Sequence, residues 1–128
     1  MRKPRPTLTE QELEIMKVIW QLEGATVRQV YEKLLEQRHI AYTTVMTMMN
    51  ILEQKGHLIK RQADRAYVYT PRQPQKQVIR GMVQEFVNRV FNGSAEPLLL
   101  HLVEDKQLTE KDLDEIRREI RKSAKRTK

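Results

Sequence analysis

Thr43, Thr47, Asn50 and Gln54 recur at intervals of three and four residues within AYTTVMTMMNILEQKG, residues 41–56, and Thr44 sits beside them. On a helix that spacing gathers these side chains on one side. Val45, Met48, Met49 and Leu52 fall on the other side as an apolar stripe suited to a core. A wet face three turns long would ordinarily carry Lys and Glu. This one carries hydroxyls and amides, which donate and accept hydrogen bonds at short range and so suit base edges and phosphates in a DNA major groove. Met46, outside the core stripe, is placed to face the duplex or a thymine methyl. Standing alone, the stretch would read better as an ordinary helix with a threonine-rich surface; its neighbours change that balance.

The elements that position this helix precede and follow it at short intervals. Thr9 with Glu12, and Thr26 with Gln29, are two capping boxes that each open a helix. The first carries Leu13, Met16, Ile19 and Trp20 as its stripe and ends at Gly24; the second carries Val27, Val30, Tyr31 and Leu34. The threonine-lined helix stops at Gly56, whose freedom at positive φ suits a C-terminal cap. Two strand-like runs follow, residues 57–61 and 66–69, separated by Gln62, Ala63, Asp64 and Arg65. In the second run Tyr67 and Tyr69 alternate with Val68, the period of a half-buried strand, and Pro71 closes it.

Three short helices and then a hairpin with a basic tip is the winged helix-turn-helix order. In it the third helix enters the major groove and the hairpin lies along the flanking backbone or minor groove. The expected fold is mainly α with a small β-hairpin wing, followed by a C-terminal helical region. Thr43, Thr44, Met46, Thr47 and Asn50 are then the candidates for the major groove, and Arg28, Lys60, Arg61 and Arg65 for phosphate.

Composition agrees with a polyanionic partner. The chain of 128 residues has a formal net charge of +7, and both parts are basic, +4 before Pro74 and +3 from there on, so no single block supplies the charge. Aromatics make up only 5%, too few for a base-stacking single-strand platform. With no cysteine there are no disulfides, thiolate metal sites or thiol nucleophiles. The three histidines, His39, His57 and His101, fall on separate elements without a carboxylate at ligand spacing, and they read as surface or rim residues rather than metal ligands. No phosphate loop, nucleophile elbow or paired-carboxylate motif is present, so neither an enzyme nor a cofactor is expected. No run of 18 apolar residues occurs and MRKPRPTLTE has no apolar leader core, which reads as a soluble cytoplasmic chain.

From Pro74 the pattern changes. Residues 75–91 read as one helix with eight apolar positions, Val78, Ile79, Met82, Val83, Phe86, Val87, Val90 and Phe91, too wide a stripe for a helix that covers a core on one side only. Asn92, Gly93 and Ser94 break it. Pro97 then opens a short helix carrying Leu98, Leu99, Leu100, Leu102 and Val103, and Thr109 caps a last one with Leu113, Ile116 and Ile120 as its stripe. Helices this apolar need a second surface, and the most economical one is the same segment of another copy; folding back on the winged helix in a monomer is the alternative. The expected division is a basic arm at residues 1–7, a winged helix at 8–73, a dimerisation region at 74–122 and a basic tail at 123–128. The arm, with Arg2, Lys3 and Arg5 broken by Pro4 and Pro6, reads equally as a phosphate contact or a solvated end.

The runs LTEQELEIMKVIW, TVRQVYEKL, AYTTVMTMMNILEQKGHL and AYVYTP resemble the penicillinase and methicillin-resistance repressors, the BlaI/MecI type, and FVNRVFNGSAEPLLLHLVED resembles their dimerisation region. The resemblance spans Leu8 to the last helix. It implies a homodimeric repressor on an inverted-repeat operator, relieved when a membrane-embedded sensor protease cuts the dimerisation helices. Well-known members carry Asn-Phe at the scissile bond, and His101-Leu102 stands there in this sequence. A related copper-responsive branch has a cysteine-rich metal site, which this chain does not share. The rival from another class is a winged-helix adaptor that holds a protein partner rather than selecting DNA sequence.

Overall fold

The computed structural model describes residues 7–126, so most of the expected basic arm lies outside the described residues. In chain order the elements are α1 (Glu10–Leu22), α2 (Val27–Leu35), α3 (Tyr42–Gln54), β1 (Leu58–Ala63), β2 (Ala66–Pro71), α4 (Gln75–Phe91), α5 (Glu96–Glu104) and α6 (Glu110–Arg126). The chain divides into two compact units, residues 1–82 and 83–128.

In the first unit both expected capping boxes close. The Glu12 N–H donates to Thr9 Oγ1 at 3.2 Å while the Thr9 N–H donates to Glu12 Oε1 at 2.9 Å, and Thr26 and Gln29 repeat the exchange at 3.1 and 2.9 Å. The core is built from Ile15, Met16 and Ile19 of α1, Val30 and Leu34 of α2, Val45, Met49 and Leu52 of α3, and Leu58 and Tyr69 of the hairpin. Gly56, at φ 88, ends α3 in a Schellman turn: its N–H donates to Glu53 O, and the next N–H, of His57, donates to Leu52 O. That turn sends the chain back under the helix, and it buries His57, correcting its assignment to the surface.

The two strands pair antiparallel from Leu58↔Pro71 to Ala63↔Ala66. The pairing runs further into the tip than the sequence pattern suggested, leaving only Asp64 and Arg65 as the turn, with Asp64 in the left-handed region at φ 56. A third backbone segment joins the sheet at a single residue. Ala25, between α1 and α2, exchanges both hydrogen bonds with Tyr69, at 3.0 and 2.8 Å. This approach requires Gly24, which sits at φ 122 where a Cβ would stand 3.1 Å from Thr70 Cγ2. Trp20 Nε1 donates to Gln73 O at 3.0 Å, tying the end of α1 to the chain leaving the wing.

The boundary differs from the expected break at Pro74. Val78 and Met82, in the first two turns of α4, pack against the winged-helix core, so the first unit extends through them. In the second unit, Thr109 and Asp112 cap α6 reciprocally at 3.2 and 2.9 Å, and the rings of Phe86 and Phe91, and of Phe91 and His101, lie 5.9 and 5.8 Å apart. α6 continues through Arg126, so most of the expected tail at 123–128 is helical; that segment contains good helix formers and no Gly or Pro. Residues 127 and 128 lie outside the described residues.

One buried ion pair ties the N-terminus of α1 to the C-terminus of α3. Lys55 Nζ lies 2.8 and 3.0 Å from the two carboxylate oxygens of Glu12, which is 5% exposed. Burial pushes the Glu12 carboxyl up, but hydrogen bonds from Lys55 and Thr9 and the Lys55 charge outweigh it and hold the group below its ordinary range. A carboxylate whose folded pKa is depressed stabilises the fold above its unfolded pKa, about 4.3, and loses that contribution as pH falls through the folded value. Lys55→Met is therefore expected to destabilise the chain by about 2 kcal/mol at pH 7, with the gap from wild type closing below about pH 4, in urea melts across pH. Gly24→Ala, which forces a side chain into a left-handed position against Thr70, is expected to cost roughly 1–3 kcal/mol in the same assay.

Candidate nucleic-acid interface

α3 is held on three sides, by α1, α2 and the hairpin, and its remaining side is open. Val45, Met49 and Leu52 are buried beneath it, while Thr43, Thr44, Met46 and Thr47 are exposed and Asn50 is half-buried. The open side has two flanks. Thr43, Thr44 and Thr47 share one with Gln11 and Ile51, toward the start of α1. Met46 and Asn50 share the other with the wing.

That second flank forms a groove of about 400 Å³ lined by Arg28 of α2, Met46 and Asn50 of α3, and Lys60, Arg65 and Tyr67 of the hairpin. The structure thus brings together five candidate residues from three elements that are far apart in sequence. Arg28 is drawn toward Glu32, one turn on, at 3.5 Å, and both ends of the pair are well exposed. Lys60 Nζ lies over the ring of Tyr67 at 4.3 Å, which holds a flexible ammonium on the groove side of the wing. Register explains why its neighbour does otherwise. Lys60 pairs with Tyr69 and Arg61 with Val68, so the two cations point to opposite faces of the hairpin, and Arg61 stays out of the groove.

Two features were not read from the sequence. The N-cap of α3 is Ala41, which provides no side-chain acceptor, so the N–H groups of Tyr42 and Thr43 at the positive end of the helix have no cap. The absence of Ser, Thr, Asp or Asn at position 41 was the available signal. The second is Tyr69. Its side chain is 2% exposed, and its hydroxyl donates to Asn50 Oδ1 at 2.8 Å, so the wing is bonded to a residue on the open side of α3.

The penicillinase repressor family model matches residues 8–122, nearly the whole chain. The chain belongs to the penicillinase repressor family. Its relatives include a penicillinase repressor of Bacillus licheniformis, 31% identical over 114 residues that cover 89% of each chain. Another is the transcriptional regulator BlaI of Mycobacterium tuberculosis, 36% identical over 99 residues, 76% of this chain and 72% of that one. Among solved structures it is similar to the DNA-binding domain of the repressor BlaI, at TM-score 0.52 and 32% identity, over 58% of this chain and 90% of that one. It is also similar to the monomeric form of the Bacillus licheniformis BlaI in complex with the blaP half-operator, at TM-score 0.51 and 32% identity, over 59% of this chain and 92% of that one. Both structural likenesses fall on the winged-helix part of the family's architecture. Among the described residues no helix is long and apolar enough to cross a membrane.

Proposed function

We propose that this chain is a DNA-binding transcriptional repressor that acts as a homodimer on an inverted-repeat operator. The observation that carries the reading is the open side of α3: exposed threonine hydroxyls line one flank, and on the other Met46 and the Asn50 amide share a groove with Arg28, Lys60 and Arg65 from two other elements. Membership of a repressor family, and the likeness to a BlaI monomer bound to a half-operator, support it. Thr43, Thr44, Met46, Thr47 and Asn50 enter the major groove, and the uncapped start of α3 faces a phosphate. Arg28, Lys60 and Arg65 neutralise backbone phosphates beside it, and Arg61 adds charge from the outer face of the wing.

Pairing is supported by the second unit. Val83, Phe86, Val90, Leu99, Leu100, Val103 and Ile120 are between 39% and 63% exposed. Leu102, Leu113 and Ile116 are half-buried, and Phe91 is covered by Phe86 and His101. Val87, expected on the pairing face, is instead buried inside the subunit and serves its internal packing. An apolar face this long in water favours association, and a second copy covers it with an equal area of the same chemistry. Two heads joined this way bind two half-sites about one helical turn, roughly 10 bp, or a small multiple apart. A sensor protease acting at His101-Leu102 would meet the bond inside α5, so cutting requires local unwinding of that helix and releases the repressor by separating its heads.

Arg65→Ala is expected to weaken binding to all duplexes about equally and lower the salt slope by about one, in anisotropy titrations across ionic strength. An unchanged slope would remove Arg65 from the phosphate contacts. Phe86→Glu combined with Val90→Glu is expected to sediment as a single subunit, and its affinity for a palindrome should fall by about 10²-fold or more while half-site binding stays as it was.

A further inference from the structure

Asn50 is the one candidate reading residue whose hydrogen bonding is already half spent. Its Oδ1 accepts from the Tyr69 hydroxyl at 2.8 Å, and its Nδ2 has no partner among the described residues. No buried side-chain nitrogen or oxygen there lacks a partner, so this Nδ2 reaches solvent, and it does so in the groove between α3 and the wing. An asparagine amide has two ends of opposite character, and which end points outward decides what it can read.

Two forces compete over that choice. Arg28, Lys60 and Arg65 line the same groove, and their positive field favours the amide oxygen outward. Tyr69 opposes this. Its side chain is buried, and its backbone N–H and C=O are both bonded to Ala25, so the ring cannot follow a turning amide. Were the amide reversed, Nδ2 would donate to the hydroxyl oxygen, and the hydroxyl proton of a side chain only 2% exposed would be left without its acceptor. The cost of such an orphaned donor exceeds the gain from one dipole in a solvated groove.

We infer that Tyr69 is a positioning residue for sequence readout: its hydroxyl locks the Asn50 amide with the nitrogen outward, so that Asn50 recognises hydrogen-bond acceptors on the bases. This rests on the groove being the DNA surface. A nitrogen-outward amide suits guanine O6 and N7 or thymine O4, reaches adenine only through the single acceptor N7, and cannot accept from cytosine N4. It also loses the two-pronged contact with adenine, which needs the oxygen and the nitrogen together. A phenylalanine would fill the space of Tyr69 equally well, so the hydroxyl alone carries the effect.

The test selects duplexes from a randomised pool with the full-length chain, as wild type, Tyr69→Phe and Asn50→Asp. For wild type, one base pair in each half-site is expected to favour guanine or thymine. Tyr69→Phe should admit adenine at that pair, with discrimination there falling about tenfold and every other position unchanged. Asn50→Asp, which keeps the bond to Tyr69 but presents only oxygen, should move the same pair toward cytosine. A Tyr69→Phe profile identical to wild type, or one relaxed at all positions alike, overturns the positioning role and leaves the DNA reading intact. A wild-type chain that selects no sequence overturns both.

Discussion

The winged-helix unit depends on how one side chain, Tyr69, is gripped. Its backbone N–H and C=O both bond Ala25, its ring fills the core beside Leu58, and its hydroxyl meets Asn50. Those three attachments belong to three different parts of the chain: the turn after α1, the start of the hairpin, and the open side of α3. A two-stranded hairpin is marginal in water by itself. Here it gains a third paired segment and a buried anchor, and so it holds Lys60 and Arg65 at a defined distance from the threonine face. The cations and the polar side chains of α3 come from separate elements, and this anchor joins the wing to α3.

The rest of the unit is arranged to leave α3 open. α1 and α2 present their stripes to the inner side of α3, and the Glu12–Lys55 pair secures its far end. α3 itself begins with no cap, whereas α1 and α2 each spend a Thr and a Glu or Gln on theirs. A helix whose first turn has no side-chain cap is less stable alone, but tertiary burial of Val45, Met49 and Leu52 compensates. On the proposed DNA reading, that uncapped turn is the one that meets a phosphate.

Local signals in the sequence were legible where the physics is local. The capping boxes at Thr9 and Thr26, the left-handed Gly56 and the alternation at Tyr67 to Tyr69 each specify backbone within a few residues, and the element order follows from them. The candidate site was legible to the extent that it lies on α3, since burial of one face exposes the other. Contacts between distant residues were not. The Ala25–Tyr69 pairing involves a single residue with no strand pattern around it, and the Tyr69–Asn50 bond joins positions whose types alone do not suggest a partnership. His57 is polar and lies at a helix end, yet the Schellman turn folds it inward. The opposite facing of Lys60 and Arg61 was implicit in strand geometry and required only that adjacent residues be assigned to different faces.

The second unit buries a single side chain, Val87, among its described residues. Helices with so little internal packing hold their shape through whatever covers them, so on the dimer reading their order follows mass action. On that reading, subunits that part in a cell holding few copies would lose more than a partner: their last third would become a substrate for quality-control proteolysis. Abundance would then reinforce itself, with scarce repressor cleared faster than plentiful repressor, and the passage between silent and expressed states of a target gene would be sharper than the DNA affinity of either head alone could make it.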